Sequence, residues 1–264
     1  MPLHLPHNLV PILFVVLLVG FPYILGPILI KNSQKIARRA VQKRYDPATL
    51  PPEAASFFYN AVTSLTQAGF TVIDYITKPG ETPNVTPCIV NLVNRSNGDM
   101  ASVACFFAVV NGITQVQNNS VFLTTVYANG EIVGSCIMPP KSAGSCYKYR
   151  PYAHGCRFFD DIDVAELYRR HRFLVEKYAP NSPVIVPEPG REMESFDRIN
   201  DDVHDYQVKQ GLMRIDTTRD AYVPTWFGAF YMTWALLWPC KQLRLAGAQA
   251  KAKRELDDYR RKTQ

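Results

Sequence analysis

Residues 88–109 have the sequence CIVNLVNRSNGDMASVACFFAV, and this stretch decides the fold. Two apolar runs flank the dipeptide Asn97-Gly98, which favours the tight turn of a β-hairpin. Three further runs have the same strand-like character: residues 70–76, 120–127 and 131–138. Because no helical segment lies between these runs, the sequence predicts an antiparallel sheet of about five strands.

Helical patterns precede and follow the predicted strands. Apolar residues recur every three or four positions before Gly69, which is placed to end a first helix. Two further helices are predicted at residues 162–178 and 191–210, and a short hairpin at residues 212–224 follows them. The sequence thus predicts an α+β domain in which two or three helices pack on the sheet.

The formal net charge of +6 is unevenly distributed along the 264 residues. Residues 31–44 contain six cations and no acid, and residues 241–264 contain eight cations and three acids. The rest of the chain is therefore acidic and would repel a nucleic-acid backbone. The helix at residues 191–210 precedes a segment that resembles the wing of a winged-helix domain, but this helix is itself acidic, so we exclude nucleic acid as a partner.

Residues 9–30 form an uncharged stretch of 22 residues. As a helix this stretch would be about 33 Å long, enough to span a hydrocarbon core of about 30 Å. No Lys or Arg precedes it, which argues against a cleaved signal peptide, and six cations follow it directly. The positive-inside rule then predicts a single-pass protein of the cell (inner) membrane whose soluble domain is cytoplasmic.

A second uncharged stretch, residues 221–240, has a different character. Pro224 and Pro239 confine its helix to residues 225–238, about 21 Å in length and too short to span the bilayer. Tryptophan favours the headgroup region, and basic residues follow this helix. We therefore predict an aromatic helix that lies in the cytoplasmic interface or docks on the first apolar helix, with a basic tail along the lipid surface; a buried helix of the soluble domain is the alternative.

These predictions divide the chain into four parts: an N-terminal tail and transmembrane helix (residues 1–30), a basic juxtamembrane collar (31–45), a soluble α+β domain (46–215), and an interfacial helix with a basic tail (216–264). The expected partner is a bilayer with anionic headgroups, to which each nearby cation contributes about 1 kcal/mol. The residues predicted to contact it are Lys31, Lys35, Arg38, Arg39, Lys43, Arg44, Trp226, Trp234, Trp238, Lys241 and Arg244. Three glycosylation sequons, at Asn84, Asn94 and Asn118, would instead suit a luminal domain.

Cysteine and histidine provide the candidates for catalysis. Cys156 lies two residues after His154, and His171 lies on the helix at residues 162–178, so a nucleophile–base pair could form among these three. The six cysteines lack the paired spacing of a zinc site, and a cytoplasmic location disfavours disulfides. Acids at residues 160–166 are explained by capping of the helix that begins there. We expect no metal and no cofactor.

The chain contains none of the common phosphate-binding or hydrolase motifs. The leading hypothesis is a membrane-anchored cytoplasmic module that binds a protein or a small ligand without catalysis. An apolar groove or an exposed sheet face without converging polar groups would distinguish such a module. The alternatives are a Cys/His-dependent enzyme at the membrane surface and a structural membrane-associated protein.

Overall fold

A computed structural model describes residues 9–38, 42–78, 85–110, 113–139, 145–178 and 181–263. These residues contain six α-helices, one short 3-10 helix and ten strands, so the fold is α+β. The strands form one sheet of seven and one sheet of three. The chain divides into two compact units: unit 1 contains residues 9–38, 145–148 and 204–244, and unit 2 contains the other described residues.

The helices are α1 (Leu9–Ser33), α2 (Pro52–Gln67), α3 (Val164–Tyr178), α4 (Glu192–Lys209), α5 (Trp226–Leu236) and α6 (Cys240–Thr263). The strands are β1 (Ile36–Ala37), β2 (Lys43–Arg44), β3 (Thr71–Thr77), β4 (Val85–Asn94), β5 (Asp99–Val110), β6 (Ile113–Val126), β7 (Ile132–Ile137), β8 (Ala153–Phe158), β9 (Met213–Asp216) and β10 (Ala221–Pro224). Helices α4 and α6 contribute residues to both units.

The sheet of unit 2 has the strand order β2-β3-β4-β5-β6-β7-β8. The predicted hairpin is confirmed: β4 and β5 are antiparallel neighbours, and Gly98 in their turn has a φ of 77°. The sheet has two strands more than the predicted five, β2 and β8. Strand β2 was not predicted because it is only two residues long, and β8 was not predicted because Gly155 and Arg157 weaken its strand pattern. The predicted antiparallel pairing is confirmed for the other neighbouring strands of this sheet, and the exception is this edge, where β7 and β8 are parallel.

Side chains of the central strands alternate between the two faces of this sheet. On one face Val90, Val103 and Leu123 are fully buried and belong to a core that includes residues of α2 and α3. On the other face Met100 belongs to a second cluster with Phe196 of α4. The predicted helices therefore pack on the sheet, two on one face and one on the other.

Unit 1 consists of α1, α5 and a three-stranded sheet with the order β1-β10-β9. The predicted hairpin at residues 212–224 is confirmed as β9 and β10. Thr225 caps α5, because its hydroxyl oxygen accepts a hydrogen bond of 2.9 Å from the Gly228 amide. Gly228 is required for this packing, since a Cβ atom at that position would overlap the carbonyl oxygen of Leu212.

The predicted transmembrane helix is not supported by the described part of the chain. Residues 9–30 are helical within α1, as expected, and Pro22 and Pro27 lie inside this helix. Among the described residues, no helix combines the length and the apolar character that a membrane crossing requires.

The predicted basic tail forms helix α6. Residues 245–263 belong to unit 2, where Ala252 is part of the core and Glu255 is 4% exposed. The Glu255 carboxylate accepts hydrogen bonds from Lys177 (2.7 Å) and from the Tyr178 hydroxyl (2.5 Å), both of α3. This part of α6 is therefore docked on α3, and it keeps Lys253, Arg254, Arg260 and Arg261 exposed.

Candidate membrane-binding surface

Helix α5 places four small side chains and Met232 inside unit 1 and most of its large apolar side chains outside. The buried residues are Gly228, Ala229, Met232, Thr233 and Ala235. The exposed residues are Trp226, Phe227, Phe230, Trp234 and Leu236, each at least 39% exposed. A helix in water has the opposite arrangement, because burying a large apolar side chain contributes about 1.5–3 kcal/mol. The arrangement in α5 is instead typical of helices that lie in an apolar medium.

Helix α1 carries a matching apolar stripe. Its members recur every three or four residues and are therefore on one face of the helix: Phe21, Ile24, Leu25, Ile28 and Leu29. Their exposed fractions lie between 36% and 66%. With the exposed residues of α5, and with Trp238 and Leu243, this stripe forms what we call the apolar surface of unit 1.

The two helices approach each other closely through small residues. A Cβ atom at Gly26 of α1 would lie 2.5 Å from the Thr233 Cγ2 atom of α5. The Thr233 hydroxyl donates to the Ala229 carbonyl oxygen at 2.8 Å, so its O–H group is satisfied within α5. Tyr23 and Trp234 meet edge to face, with ring centroids 6.3 Å apart. Close contact through small and hydroxyl-bearing residues is characteristic of helix pairs in membranes.

Exposed apolar residues are concentrated in unit 1. Of the fifteen large apolar side chains that are exposed among the described residues, twelve lie in this unit. They include all three tryptophans of the chain: Trp226 (55% exposed), Trp234 (54%) and Trp238 (66%). Exposed apolar surface that is concentrated in this way marks an interaction site on a soluble protein.

Unit 1 is also strongly basic. Its ranges (1–38, 143–148 and 204–244) contain nine Lys and Arg residues and three Asp residues, so its formal charge of +6 equals that of the whole chain. Lys31 donates to the Pro224 carbonyl oxygen at 2.6 Å, and Arg244 donates to the Ser145 and Tyr147 carbonyl oxygens at 2.8 and 3.1 Å. These backbone contacts hold two of the cations in place beside the apolar surface.

The residues predicted to contact lipid are divided between the two units. Unit 1 contains most of them: Lys31, Lys35, Arg38, Trp226, Trp234, Trp238, Lys241 and Arg244. Arg38 pairs with Asp220 at 3.1 Å. Lys43 and Arg44 form β2 of unit 2, where Arg44 pairs with Asp74 at 2.9 Å. Arg39 lies outside the described residues.

The apolar stripe of α1 and the contributions of Phe227 and Phe230 were not predicted from the sequence. The signal that would have found the outer face of α5 is its alternation of small and aromatic residues, WFGAFYMTWAL.

The candidates for catalysis are not brought together as a nucleophile–base pair. Cys156 is 4% exposed, and burial raises the pKa of its thiol to about 12, so the thiol stays protonated. The His154 ring stacks on Tyr178 with centroids 4.9 Å apart. The two ring nitrogens of His171 lie within hydrogen-bond distance of Ser135 and Thr125, which leaves neither nitrogen for Cys156.

His171 instead belongs to a buried polar network that the sequence did not predict. Its Nδ1 and Nε2 atoms each lie 3.0 Å from a hydroxyl oxygen, of Ser135 and Thr125 respectively. Thr125 also donates to Asp99 at 2.5 Å, and Asp99 is fully buried. Burial lowers the pKa of His171 to about 4, so the ring is neutral at neutral pH. Ser, His and Asp occur together here, but at 0–3% exposure they cannot reach a substrate.

The acids at the start of α3 stabilise that helix. Asp163 accepts a hydrogen bond of 2.6 Å from the Glu166 amide, which is the predicted capping role. Asp160 binds the Arg170 guanidinium at 2.7 and 2.9 Å, and Glu166 binds it at 2.9 Å. Within the described ranges, no group of three or more His, Cys, Asp and Glu side chains is arranged to hold a metal ion.

One of the three glycosylation sequons is inaccessible in the folded domain. Asn94 is 4% exposed, and its side-chain amide donates to the Ala68 carbonyl oxygen at 3.1 Å. Asn118 is half-buried on β6, and Asn84 lies outside the described residues. Asn94 therefore gives no support to a luminal location.

Comparison of the chain with protein-family models, with curated proteins and with solved structures gives no match. Function must be inferred from the geometry of the molecule itself. The two most informative features are the apolar surface of unit 1 and a cavity in unit 2.

Proposed function

We propose that the protein is a membrane-attached binding module without catalytic function. Unit 1 attaches the chain to a bilayer with anionic headgroups, and unit 2 carries the binding domain. The observation that supports attachment most strongly is the inverted arrangement of α5, in which mostly small residues are buried and four of the five aromatic residues are exposed. Attachment through this surface requires only that the exposed side chains enter the apolar layer, whether or not α1 crosses it.

The energetics favour lipid over water at this surface. Twelve large apolar side chains are exposed in unit 1, and transfer of each from water contributes about 1.5–3 kcal/mol when burial is complete. Indole rings are favourable at the headgroup level, where their N–H groups find hydrogen-bond acceptors. Even partial burial of this set would hold the protein on a bilayer.

The distribution of charge supports a cytoplasmic orientation. Lys31, Lys35 and Arg38 follow the apolar part of α1 directly, and the cytoplasmic flank of a membrane segment is enriched in such residues. Their attraction to anionic headgroups adds to the apolar contribution. We therefore propose the cytoplasmic face of the cell (inner) membrane as the site of attachment.

The alternative of a Cys/His-dependent enzyme is weaker. It requires an accessible thiolate, whereas Cys156 is buried and protonated. It also requires a base, whereas His171 is enclosed by Ser135 and Thr125. A binding role needs neither group.

Removal of cations from unit 1 is expected to weaken binding to anionic membranes selectively. In the double variant Lys35→Gln/Lys241→Gln, two contributions of about 1 kcal/mol are lost, which corresponds to a roughly 30-fold weaker association. The measurement is a titration of the full-length protein, diluted from detergent, with phosphatidylcholine vesicles that contain or lack phosphatidylglycerol. The expected loss occurs only with the anionic vesicles and decreases as salt is added.

The matched control is Arg191→Gln/Arg198→Gln, which removes two exposed cations of unit 2, one directly before α4 and one within it. This variant is expected to bind both kinds of vesicle as the wild type does. Equal weakening by the two double variants, or no weakening by the first, would contradict the assignment of unit 1 as the attachment site.

A further inference from the structure

A cavity of about 370 Å³ lies on the second face of the unit 2 sheet. Strands β3 to β6 form its floor and α4 forms one wall. Most of its lining is apolar: Ile76, Ile89, Met100, Phe106, Phe122 and Phe196. This volume is within the range of about 300–1,000 Å³ that is typical of small-molecule sites.

Asn91 presents an incompletely satisfied amide to this cavity. It is 3% exposed, and its Oδ1 atom accepts a hydrogen bond of 2.7 Å from the Ser102 hydroxyl. Its Nδ2 atom has the Met193 sulfur, at 3.6 Å, as its acceptor among the described residues. A thioether is a weak acceptor, and a buried N–H group that lacks an oxygen acceptor is costly. The amide is therefore positioned to donate to an oxygen of a bound molecule.

The surroundings of Asn91 determine which oxygen fits. Ser102 lies opposite Asn91 in the β4–β5 register, and Thr124 lies opposite Met100 in the β5–β6 register. These polar neighbours are uncharged. Lys78 and Asp197 also line the cavity, and Asp197 accepts a hydrogen bond of 2.7 Å from Gln42. Because Lys78 and Asp197 carry opposite formal charges, the lining has no net charge, and this favours a neutral acceptor over an anion beside Asn91.

We propose that this cavity binds a neutral, mostly apolar molecule whose carbonyl oxygen accepts a hydrogen bond from Asn91. An acyl ester has this chemistry: a flexible hydrocarbon chain for the apolar lining and one uncharged oxygen for the amide. Met100 and Met193 suit such a chain, because methionine adapts its shape to irregular apolar ligands. This assignment rests on the proposed binding role of unit 2, and it does not depend on the attachment of unit 1.

Methyl NMR of methionine tests the site directly. Met100 and Met193 line the cavity, and Met213 and Met232 belong to the core of unit 1, where they report non-specific partitioning. The full-length protein in lipid nanodiscs is titrated with methyl octanoate and, separately, with octanoate. The expected result is a saturable shift of Met100 and Met193 by the ester, with weaker binding of the anion and no shift of Met213 or Met232.

Variants of the cavity separate specific binding from accidental binding. Ala104→Phe fills the space and is expected to abolish the shifts, whereas Ala104→Ser keeps the volume and is expected to preserve them. Asn91→Leu is expected to weaken binding of the ester by up to roughly tenfold, since one hydrogen bond is lost. Binding of nonane, which has no carbonyl oxygen, is expected to be unchanged. If Ala104→Phe does not fold, Ile89→Phe fills the same cavity from β4.

Three outcomes would overturn this inference: no shift at Met100 and Met193, an undiminished shift in a folded cavity-filling variant, or tighter binding of octanoate than of the ester. The tryptophan emission of the same samples measures membrane attachment independently of the methionine shifts. Failure of ligand binding in a protein that remains attached would therefore leave the role of unit 1 intact.

Discussion

Replacement of Arg172 by methionine is expected to destabilise unit 2 by about 3 kcal/mol. The Arg172 guanidinium donates to both oxygens of Asp99 at 3.0 Å, and Asp99 is fully buried. Methionine keeps the apolar stem of the side chain and removes the charge, which leaves the carboxylate with the Thr125 and Tyr168 hydroxyls alone. The expected loss of stability lies at the lower end of the range for buried ion pairs because the Arg172 side chain is 40% exposed.

Arg169 provides a control on the same helix. Its side chain is 61% exposed and pairs with Glu166 at 2.8 Å, so Arg169→Met should cost less than about 1 kcal/mol. Denaturant-dependent hydrogen exchange of the β5 and β6 amides in the full-length protein measures both effects. The double variant Arg172→Met/Asp99→Asn should recover part of the loss, since a neutral amide needs no cation. Simple additivity of the two substitutions would show that Asp99 and Arg172 are not coupled.

Acidification is expected to destabilise unit 2 through His171. In the unfolded chain histidine has a pKa of about 6.5, whereas burial lowers the pKa of His171 in the folded protein to about 4. Between these values the unfolded state binds the proton and the folded state does not. The contribution of neutral His171 to the stability of unit 2 is therefore complete above about pH 6.5. It is lost as the pH falls towards 4, with about 2 kcal/mol lost at pH 5.

The variant His171→Gln isolates this effect. Glutamine can form hydrogen bonds with Ser135 and Thr125 but does not titrate. Between pH 7 and pH 5 the free energy of unfolding of the variant should therefore fall by about 2 kcal/mol less than that of the wild type. The same hydrogen-exchange measurement at the two pH values gives the difference. An identical decline in wild type and variant would mean that the His171 ring protonates as readily in the folded protein as in the unfolded one.

Features with local signals were predicted well from the sequence. The Asn97-Gly98 turn, the helices at α3 and α4, and the β9–β10 hairpin depend on turn residues and periodicity within short stretches. Strands β2 and β8 were missed because their pairing depends on a neighbour that is distant in sequence. A parallel strand such as β8 has no local signal that distinguishes it from an antiparallel one.

The features of the candidate site also divide into those with local sequence signals and those that depend on residues distant in sequence. Tryptophan and lysine content indicated α5 as a candidate for lipid contact, which stays a prediction, and the uncharged stretch gave the position of α1. The inverted burial of α5 was missed, because the alternation of small and aromatic residues is interpretable only once the face that packs against Gly26 and Leu212 is known. The network of Asp99, Thr125, Ser135 and His171 was also missed, since three strands and a helix must be in register before these residues meet.

Intrinsic fluorescence tests the attachment of unit 1 most directly. The three tryptophans of the chain are all exposed on the apolar surface, so their emission reports this surface without a label. The full-length protein is reconstituted into vesicles whose acyl chains carry bromine, with unbrominated vesicles as the control. We predict blue-shifted emission that bromine quenches, including in a variant that retains only Trp234. Emission typical of a water-exposed indole, unaffected by bromine while the protein floats with the vesicles, would contradict the proposed membrane attachment.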